Sequence, residues 1–260
     1  MDFLKVVLVT GLLANSVLLT ACDSSASADD SSLKSADAKT EMRNRAELDG
    51  QFEYQLRTEE TSMQDDRFPF GFWEITRVYP EVLSDSHPSA AEAANARIAE
   101  LVDRFRCEGM GDIAFHTREI HLGNGVLSMA YEASWTCASM PSPERVSGFL
   151  NLDLADGTEI ELDEQFRDRY AFERFQETAI RELLQARESQ AASQGVTCPD
   201  IRSVNGFHTD GEELWVASLP EEPGPAPCDV KVGFSLPTLK DRLKPDNLLL
   251  TPRVRRAQAN

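Results

Sequence analysis

The chain has 260 residues, and its 44 acidic and 26 basic side chains give it a formal net charge of −18 at pH 7. A charge of this size repels nucleic acid and anionic lipid head groups, so it argues against a nucleic-acid-binding protein and favours basic partners. The simpler interpretation is that the charge keeps the protein soluble in a crowded or saline environment.

The N-terminus has the features of an exported bacterial lipoprotein. An apolar run over residues 6–19 follows Lys5 and is too short to span a membrane, which is typical of a signal-peptide core. The run ends in Leu-Thr-Ala-Cys at 19–22, which matches the lipobox whose cysteine is acylated and becomes the new N-terminus. We predict a signal peptide over residues 1–21 and a membrane anchor of several acyl chains, including palmitate, at Cys22. An ordinary signal peptide followed by a chance cysteine is the alternative.

Composition divides the exported chain into three parts. Residues 22–66 begin with a stretch rich in Ser, Ala and Asp that has little to bury, so we predict a disordered acidic tether. Residues 67–245 are long enough for one domain with a sizeable core. Residues 246–260 carry three arginines and are expected to form a flexible basic tail.

The domain is predicted to begin with a strand, a helix and a β-hairpin. Residues 70–79 are aromatic and β-branched, as in a strand. Ser89 and Glu92 have the spacing of a capping box at the start of a helix that runs to about residue 106. Strands over 113–122 and 126–136 then form a hairpin around a Gly-Asn-Gly turn.

A second hairpin and a long helix form the centre of the domain. Residues 146–154 alternate between apolar and polar, the Asp-Gly pair at 156–157 supplies a turn, and residues 158–162 alternate again. Asp163 is the predicted N-cap of a helix over residues 170–192.

Three short strands and one short helix complete the domain. The strands are predicted at 204–209, 213–219 and 230–236, and the helix at 238–243. This order of elements predicts an α+β fold. We expect an antiparallel sheet of hairpins, two main helices packed on one face and a short C-terminal helix.

Four cysteines follow Cys22 in the chain, and an even number in an exported protein favours two disulfide bonds. Three pairings are formally possible. We favour Cys107–Cys137 and Cys198–Cys228, because each pair joins neighbouring elements and each pair is separated by 30 residues. A zinc site is disfavoured, since there is no Cys-Xaa-Xaa-Cys pair and no clustered histidine.

Patterns that would indicate catalysis or metal binding are weak. His116 and His121 are five residues apart, so in a regular strand they point to opposite faces and cannot share a metal. The carboxylates around the central hairpin lack the dense spacing of a calcium loop, and turn and cap roles account for Asp156 and Asp163. No nucleophile elbow, phosphate-binding loop or metalloprotease motif occurs. We therefore predict no catalytic residue, no metal and no cofactor.

The central and closing segments resemble a known family. Residues 126–135, then FLNLDLADGTEIELDEQF and a helix, then FHTDGEELWVASLP and DVKVGFSLPTLKDRLKP, resemble the C-terminal module of the RsiV-type extracytoplasmic domains. This module of unknown function is shared by the anti-sigma factor RsiV and the deacetylase PdaC. The segment ITRVYPEVL and the helix after it resemble the small domain that precedes the module, so the likeness covers roughly residues 72–245.

The resemblance implies a binding module rather than an enzyme. In RsiV the module faces outside the membrane and binds lysozyme, and the family supplies no catalytic residue that can be carried over to this chain. We therefore expect a lipid-anchored envelope lipoprotein that faces the periplasm and recognises lysozyme, another basic protein or peptidoglycan. The alternative is a structural or assembly lipoprotein that binds another envelope protein. A hydrolase with an unrecognised site, for example at Asp153 or Glu164, ranks third.

Overall fold

Two β-sheets, each packed against its own long helix, organise the part of the chain that the structure describes. This structure is a computed structural model, and it describes residues 48, 50–64, 72–195, 198, 200–219 and 228–250. The predicted signal peptide, Cys22 and the end of the predicted basic tail lie outside these residues. Within them, no helix is long and apolar enough to cross a membrane.

The larger sheet has six strands that lie side by side in chain order. They are β1 (Glu53–Gln64), β2 (Phe72–Leu83), β3 (Gly111–Gly123), β4 (Val126–Cys137), β5 (Glu144–Asp153) and β6 (Thr158–Glu159). Neighbouring strands are antiparallel except β2 and β3, which are parallel. Parallel strands need a long crossover connection, and helix α1 (Pro88–Asp103) lies in the connection between them.

The smaller sheet has three antiparallel strands. They are β7 (Gly206–Thr209), β8 (Glu213–Ala217) and β9 (Lys231–Ser235). A 3-10 turn (Asp163–Gln165) and helix α2 (Arg169–Gln194) precede this sheet, and the short helix α3 (Leu236–Leu239) follows it.

The predicted α+β fold and the short C-terminal helix are confirmed, and the structure differs from the prediction in how the strands are divided and oriented. The strands form two sheets rather than one, the larger sheet is mixed rather than antiparallel, and the two long helices do not share a face. The strand–helix–strand order at β2, α1 and β3 produces the parallel pair, because the helix returns the chain to the end of the sheet at which it started.

Each helix buries its apolar stripe in a separate core. The large-sheet core combines buried side chains of α1 with buried side chains of the strands. Those of α1 are Ala91, Ala94, Ile98, Leu101 and Val102, and those of the strands include Phe115, Leu127, Met129 and Leu152. The small-sheet core combines buried side chains of α2 with those of β7 and β8. The helix contributes Phe175, Ala179 and Leu183, and the strands contribute Phe207, Leu214 and Val216. Each fully buried Leu, Ile or Phe contributes about 1.5–3 kcal/mol of transfer free energy, so packing holds both helices in place.

The domain begins earlier than predicted, because the expected tether over residues 22–66 contains β1. This strand pairs with β2 along all 12 of its residues. Leu48 and Phe52, which precede it, are only 8% and 6% exposed and belong to the large-sheet core. Phe52, Tyr54 and Leu56 alternate with polar residues, which is the period of a strand, although the surrounding charges obscure it.

The domain also ends later than predicted. Leu249 is 2% exposed and lies in the small-sheet core, with Leu248 and Leu250 packed against it. The start of the expected basic tail over residues 246–260 is therefore part of the fold, and residues 251–260 lie outside the described part of the chain.

Both long helices begin differently from the prediction. Pro88 occupies the first turn of α1 after His87, and no side chain caps that end, so the expected box of Ser89 and Glu92 does not provide the cap. Asp163 starts the 3-10 turn instead of α2. The N-cap of α2 is Asp168, whose carboxylate accepts a hydrogen bond of 2.7 Å from the backbone N–H of Ala171.

Both predicted disulfides are present. Cys107–Cys137 joins the segment after α1 to the end of β4, and Cys198–Cys228 joins the segment after α2 to the segment before β9. Two disulfides indicate that the protein folds in an oxidising compartment.

Candidate binding site at the junction of the two sheets

Buried hydrogen bonds fix the two sheets against each other. The Ser128 hydroxyl on β4 donates to Asn151 Oδ1 on β5 over 2.6 Å, and Asn151 Nδ2 donates to the Phe207 carbonyl on β7 over 2.8 Å. The backbone N–H of Thr209 in turn donates to Ser128 Oγ over 2.9 Å. These groups are buried, where hydrogen bonds are strong and an unpaired group is costly, so the junction has one preferred geometry.

His208 on β7 fills the junction beside this network and is only 3% exposed. Its ring stacks on Phe149 at 5.4 Å and on Trp215 at 6.2 Å between centroids. Burial, reinforced by the charge of Lys231, lowers the pKa of His208 despite the nearby carboxylate of Glu119. His208 Nε2 lies 3.0 Å from Glu119 Oε2 without forming a hydrogen bond to it, so this carboxylate acts on the ring through its charge alone.

A cleft of about 230 Å³ opens where the two sheets meet. Its apolar lining comes from both sheets and from the residues that follow β8: Ala130, Phe149, Ala217 and Leu219. Gly206 lets two of these side chains approach, since a Cβ there would lie 2.7 Å from the Phe149 ring and 2.8 Å from Leu219 Cδ1. The cleft thus depends on how closely β7 packs against β5.

Ion pairs occupy most of the charged groups around the cleft. Glu132 lies 2.8 Å from Arg118 and 3.1 Å from Arg145. Burial acts to raise the pKa of Glu132, but the hydrogen bonds and charges of the two arginines outweigh it and lower the pKa. Across the cleft, Lys231 Nζ lies 2.6 and 2.7 Å from the two carboxylate oxygens of Glu119.

Asp229 is different, because none of the ion pairs among the described residues includes it. Within the described part of the chain, its carboxylate accepts one hydrogen bond, a long one of 3.4 Å from the Ser147 hydroxyl. Partial burial raises the pKa of Asp229, although the bond from Ser147 and the charge of Arg145 act in the opposite direction. Its chain neighbours Cys228 and Val230 are buried, so the backbone that carries this carboxylate is anchored on both sides.

The histidines noted in the sequence do not form a site together, but the reason given for excluding them is wrong. A β-bulge in β3 lies between the two histidines, so His116 and His121 project from the same face of the sheet. They oppose Glu132 and Ser128, which are four residues and so about 13 Å apart along β4. In the described part of the chain, no three His, Cys, Asp or Glu side chains are grouped closely enough to hold a metal.

The carboxylates around the central hairpin have local roles. Asp156 Oδ1 accepts hydrogen bonds from the backbone N–H and the hydroxyl of Thr158 in the turn. Asp153 Oδ1 accepts from the backbone N–H of Ala155, and Asp163 Oδ1 accepts from that of Glu164.

The residues of the cleft were not identified from the sequence. Glu119 and Lys231 are 112 residues apart, and Glu132 and Asp229 nearly as far, so no local pattern joins them. The one usable signal is the pair of aromatic residues Phe149 and Trp215, each of which interrupts the apolar and polar alternation of its strand.

Comparison with known proteins supports the fold. No family model and no curated protein sequence matches the chain. Among solved structures, a DUF3298 family protein from Pseudomonas aeruginosa matches with a TM-score of 0.53 and 14% identity, over 79% of this chain and 100% of that one. A DUF3298 family member from Bacteroides fragilis matches with a TM-score of 0.47 and 12% identity, over 75% of this chain and 94% of that one.

The first of these matches shows a shared fold and nothing further. The C-terminal modules of RsiV proteins are DUF3298-like, so the fold agrees with the resemblance found in the sequence. Membership of the RsiV-type family itself stays a prediction.

Proposed function

We propose that this protein is a non-enzymatic binding module of the bacterial cell envelope that recognises a basic protein such as lysozyme. In this proposal, acyl chains on Cys22 hold it on a membrane with the domain facing the periplasm. The lipobox supports the anchor, and the two disulfides support export to an oxidising compartment. The resemblance to the RsiV-type module supports lysozyme as the partner.

The observation that carries the proposal is the cleft between the two sheets. Its walls are fixed by buried hydrogen bonds, by ion pairs and by the Cys198–Cys228 disulfide close to its rim. A preformed site loses little conformational entropy when it binds a partner, which favours recognition. The net charge of −18 adds long-range attraction for a basic protein.

Calorimetric titration of the full chain, with both disulfides formed, against hen-type lysozyme tests this function. We expect micromolar or tighter binding that weakens as salt is added and persists at physiological salt. Lysozyme with succinylated lysines is the matched control, because succinylation replaces the positive charge of each modified lysine by a negative one. An absence of binding heat at low salt would rule out lysozyme as the partner.

A structural or assembly lipoprotein remains the second candidate, and β1 favours it. This strand is a 12-residue edge of the large sheet, and it exposes Tyr54 and Leu56, the latter by 57%. Long edge strands with exposed apolar side chains are typical surfaces for pairing with another protein. A stable envelope partner that is captured by the wild type, survives high salt and is lost on Leu56→Lys would favour this function over electrostatic binding of lysozyme.

A further inference from the structure

We infer that the cleft between the two sheets receives one basic side chain of a protein partner and that Asp229 forms the ion pair with it. The inference rests on the proposed function, because it assumes a protein ligand, and it adds the site and the chemical group that is recognised.

The basic side chains around the cleft are already paired with acids of the same chain. Arg118 and Arg145 are both engaged by Glu132. Lys231 is engaged by Glu119, and its Nζ also lies 5.1 Å from the centre of the Trp215 ring. The cations are therefore satisfied inside the protein, whereas the carboxylate of Asp229 takes part in none of the ion pairs among the described residues. Among the described residues around the cleft, the charged group left outside an ion pair is thus an acid, Asp229.

An anionic ligand fits this arrangement poorly. To reach the guanidinium groups of Arg118 and Arg145, an anion has to displace the carboxylate of Glu132, to which both are bound. That displacement leaves a half-buried acid without its partners, which is costly. A cation reaches Asp229 without breaking any of these pairs.

The shape and lining of the cleft also suit a basic side chain. Lysine and arginine combine an apolar stem with a charged end, and such side chains place the stem along apolar surface while the charge stays at the water boundary. The cleft offers the same division, since Phe149 and Leu219 line it and Asp229 lies exposed at its rim. The partial burial that raises the pKa of Asp229 also means that an incoming cation relieves an unfavourable charge.

The position of Asp229 is fixed by its neighbours in the chain. Cys228, the residue before it, is buried and bonded to Cys198, and Val230, the residue after it, is buried in the small-sheet core. The carboxylate is therefore presented from a fixed backbone, so it loses little entropy when it pairs with a ligand.

Amide NMR titration with N-acetyl-arginine amide tests the site, with N-acetyl-citrulline amide as a neutral probe of nearly the same shape. The protein is the full chain carrying Cys22→Ala, which removes the acylation site and the thiol outside the two disulfides. We expect saturable shifts at residues 147–149, 217–219 and 229–231 with the arginine probe and none with the citrulline probe. Asp229→Asn should abolish these shifts. Asp241→Asn, which changes an exposed carboxylate beyond the far end of β9, should leave them unchanged.

Lysozyme binding by the same variants separates this inference from the proposed function. We expect Asp229→Asn to weaken the affinity about fivefold and Asp241→Asn to change it by less than about twofold, since one partly exposed ion pair is lost. If the arginine probe saturates the site but lysozyme does not bind, the site for a basic side chain is supported and lysozyme is ruled out as the partner. Unchanged lysozyme affinity in Asp229→Asn would overturn the inference and leave the binding function standing. Shifts at the same amides with peptidoglycan fragments, but not with the arginine probe, would also overturn it.

Discussion

The large and small sheets differ in how much of their core they supply themselves. The large-sheet core is built from residues between 48 and 154, a range that contains every strand of the large sheet except β6. The small-sheet core takes Val126 from β4, Ile160 and Leu162 from the segment after β6, and Leu249 from the end of the described chain. Its strands are also shorter, at four or five residues each.

This difference indicates that the small sheet depends on its neighbour more than the large sheet does. A three-stranded sheet of short strands has little surface to bury by itself, and the small sheet completes its core with residues of α2 and with Val126 of the large sheet. The cleft lies on the boundary between the two sheets, and its geometry is therefore sensitive to changes in either of them.

Removing one aromatic ring from either core should destabilise the protein the most. Phe175 on α2 and Phe115 on β3 are both fully buried, so each change to alanine should cost about 3–5 kcal/mol of unfolding free energy. If the small sheet depends on the large one, Phe175→Ala should speed amide hydrogen exchange mainly in β7–β9, whereas Phe115→Ala should speed it in both sheets. Faster exchange confined to β3–β5 in Phe115→Ala would contradict the dependence.

The disulfides provide a comparison with matched loops, since each closes a sequence separation of 30 residues. Replacing either pair by serine should cost roughly 3–4 kcal/mol on the chain-entropy model, measured by urea unfolding. The effects on binding should differ. Loss of Cys198–Cys228 should weaken lysozyme binding because Cys228 adjoins Asp229, while loss of Cys107–Cys137 should leave binding unchanged as long as the protein is folded. Equal effects on binding would mean that the cleft is not the site.

Two asparagines allow the junction to be compared with the large sheet alone. Asn151 joins β4, β5 and β7, whereas Asn95 on α1 bonds both backbone groups of Val82 on β2. Each change to alanine leaves buried or half-buried polar groups unpaired and should cost about 1–3 kcal/mol. Asn151→Ala should also shift the amide signals that line the cleft, and Asn95→Ala should not. An unchanged cleft in Asn151→Ala would show that the junction network does not position it.

The smallest expected effect is on the pH dependence of stability. Burial lowers the pKa of His208 and of His121 in the folded protein, against a value near 6.5 when the chain is unfolded. The unfolded state therefore binds protons first as the pH falls, so the free energy of unfolding should decrease below about pH 6.5. The drop in Tm between pH 7.5 and pH 5 should be smaller in His208→Gln than in the wild type. In His87→Gln, which changes a residue before α1, the drop should equal that of the wild type. An identical loss of Tm in His208→Gln would show that His208 contributes nothing to it.

Local patterns in the sequence predict the strands β3, β4 and β5 to within a few residues, because their apolar and polar residues alternate. A glycine-containing turn separates β3 from β4, and a loop with two prolines separates β4 from β5. The two disulfides were predicted from the number and spacing of the cysteines. β1 was missed because charges surround the alternating Phe52, Tyr54 and Leu56. For the strands, the outcome depended on residues close together in the chain.

The division into two sheets and the cleft between them depend on distant residues. Alternation of apolar and polar residues indicates that a strand has one buried face, but it does not indicate which element covers that face. The sequence therefore did not assign β7 to a second sheet. The bulge in β3, which brings His116 and His121 to one face, has no local signal that we recognised. Asp229 stands out only once the partners of Glu119 and Glu132 are known.

Hydrogen–deuterium exchange of the full chain, alone and in complex with hen-type lysozyme, locates the surface that a basic protein covers. We propose that this surface is the cleft between the two sheets. This proposal predicts slower exchange on binding at residues 147–149, 217–219 and 229–231, with little change on the outer edge at β1. Protection confined to β1, or no protection at the cleft in a complex that forms, would contradict it.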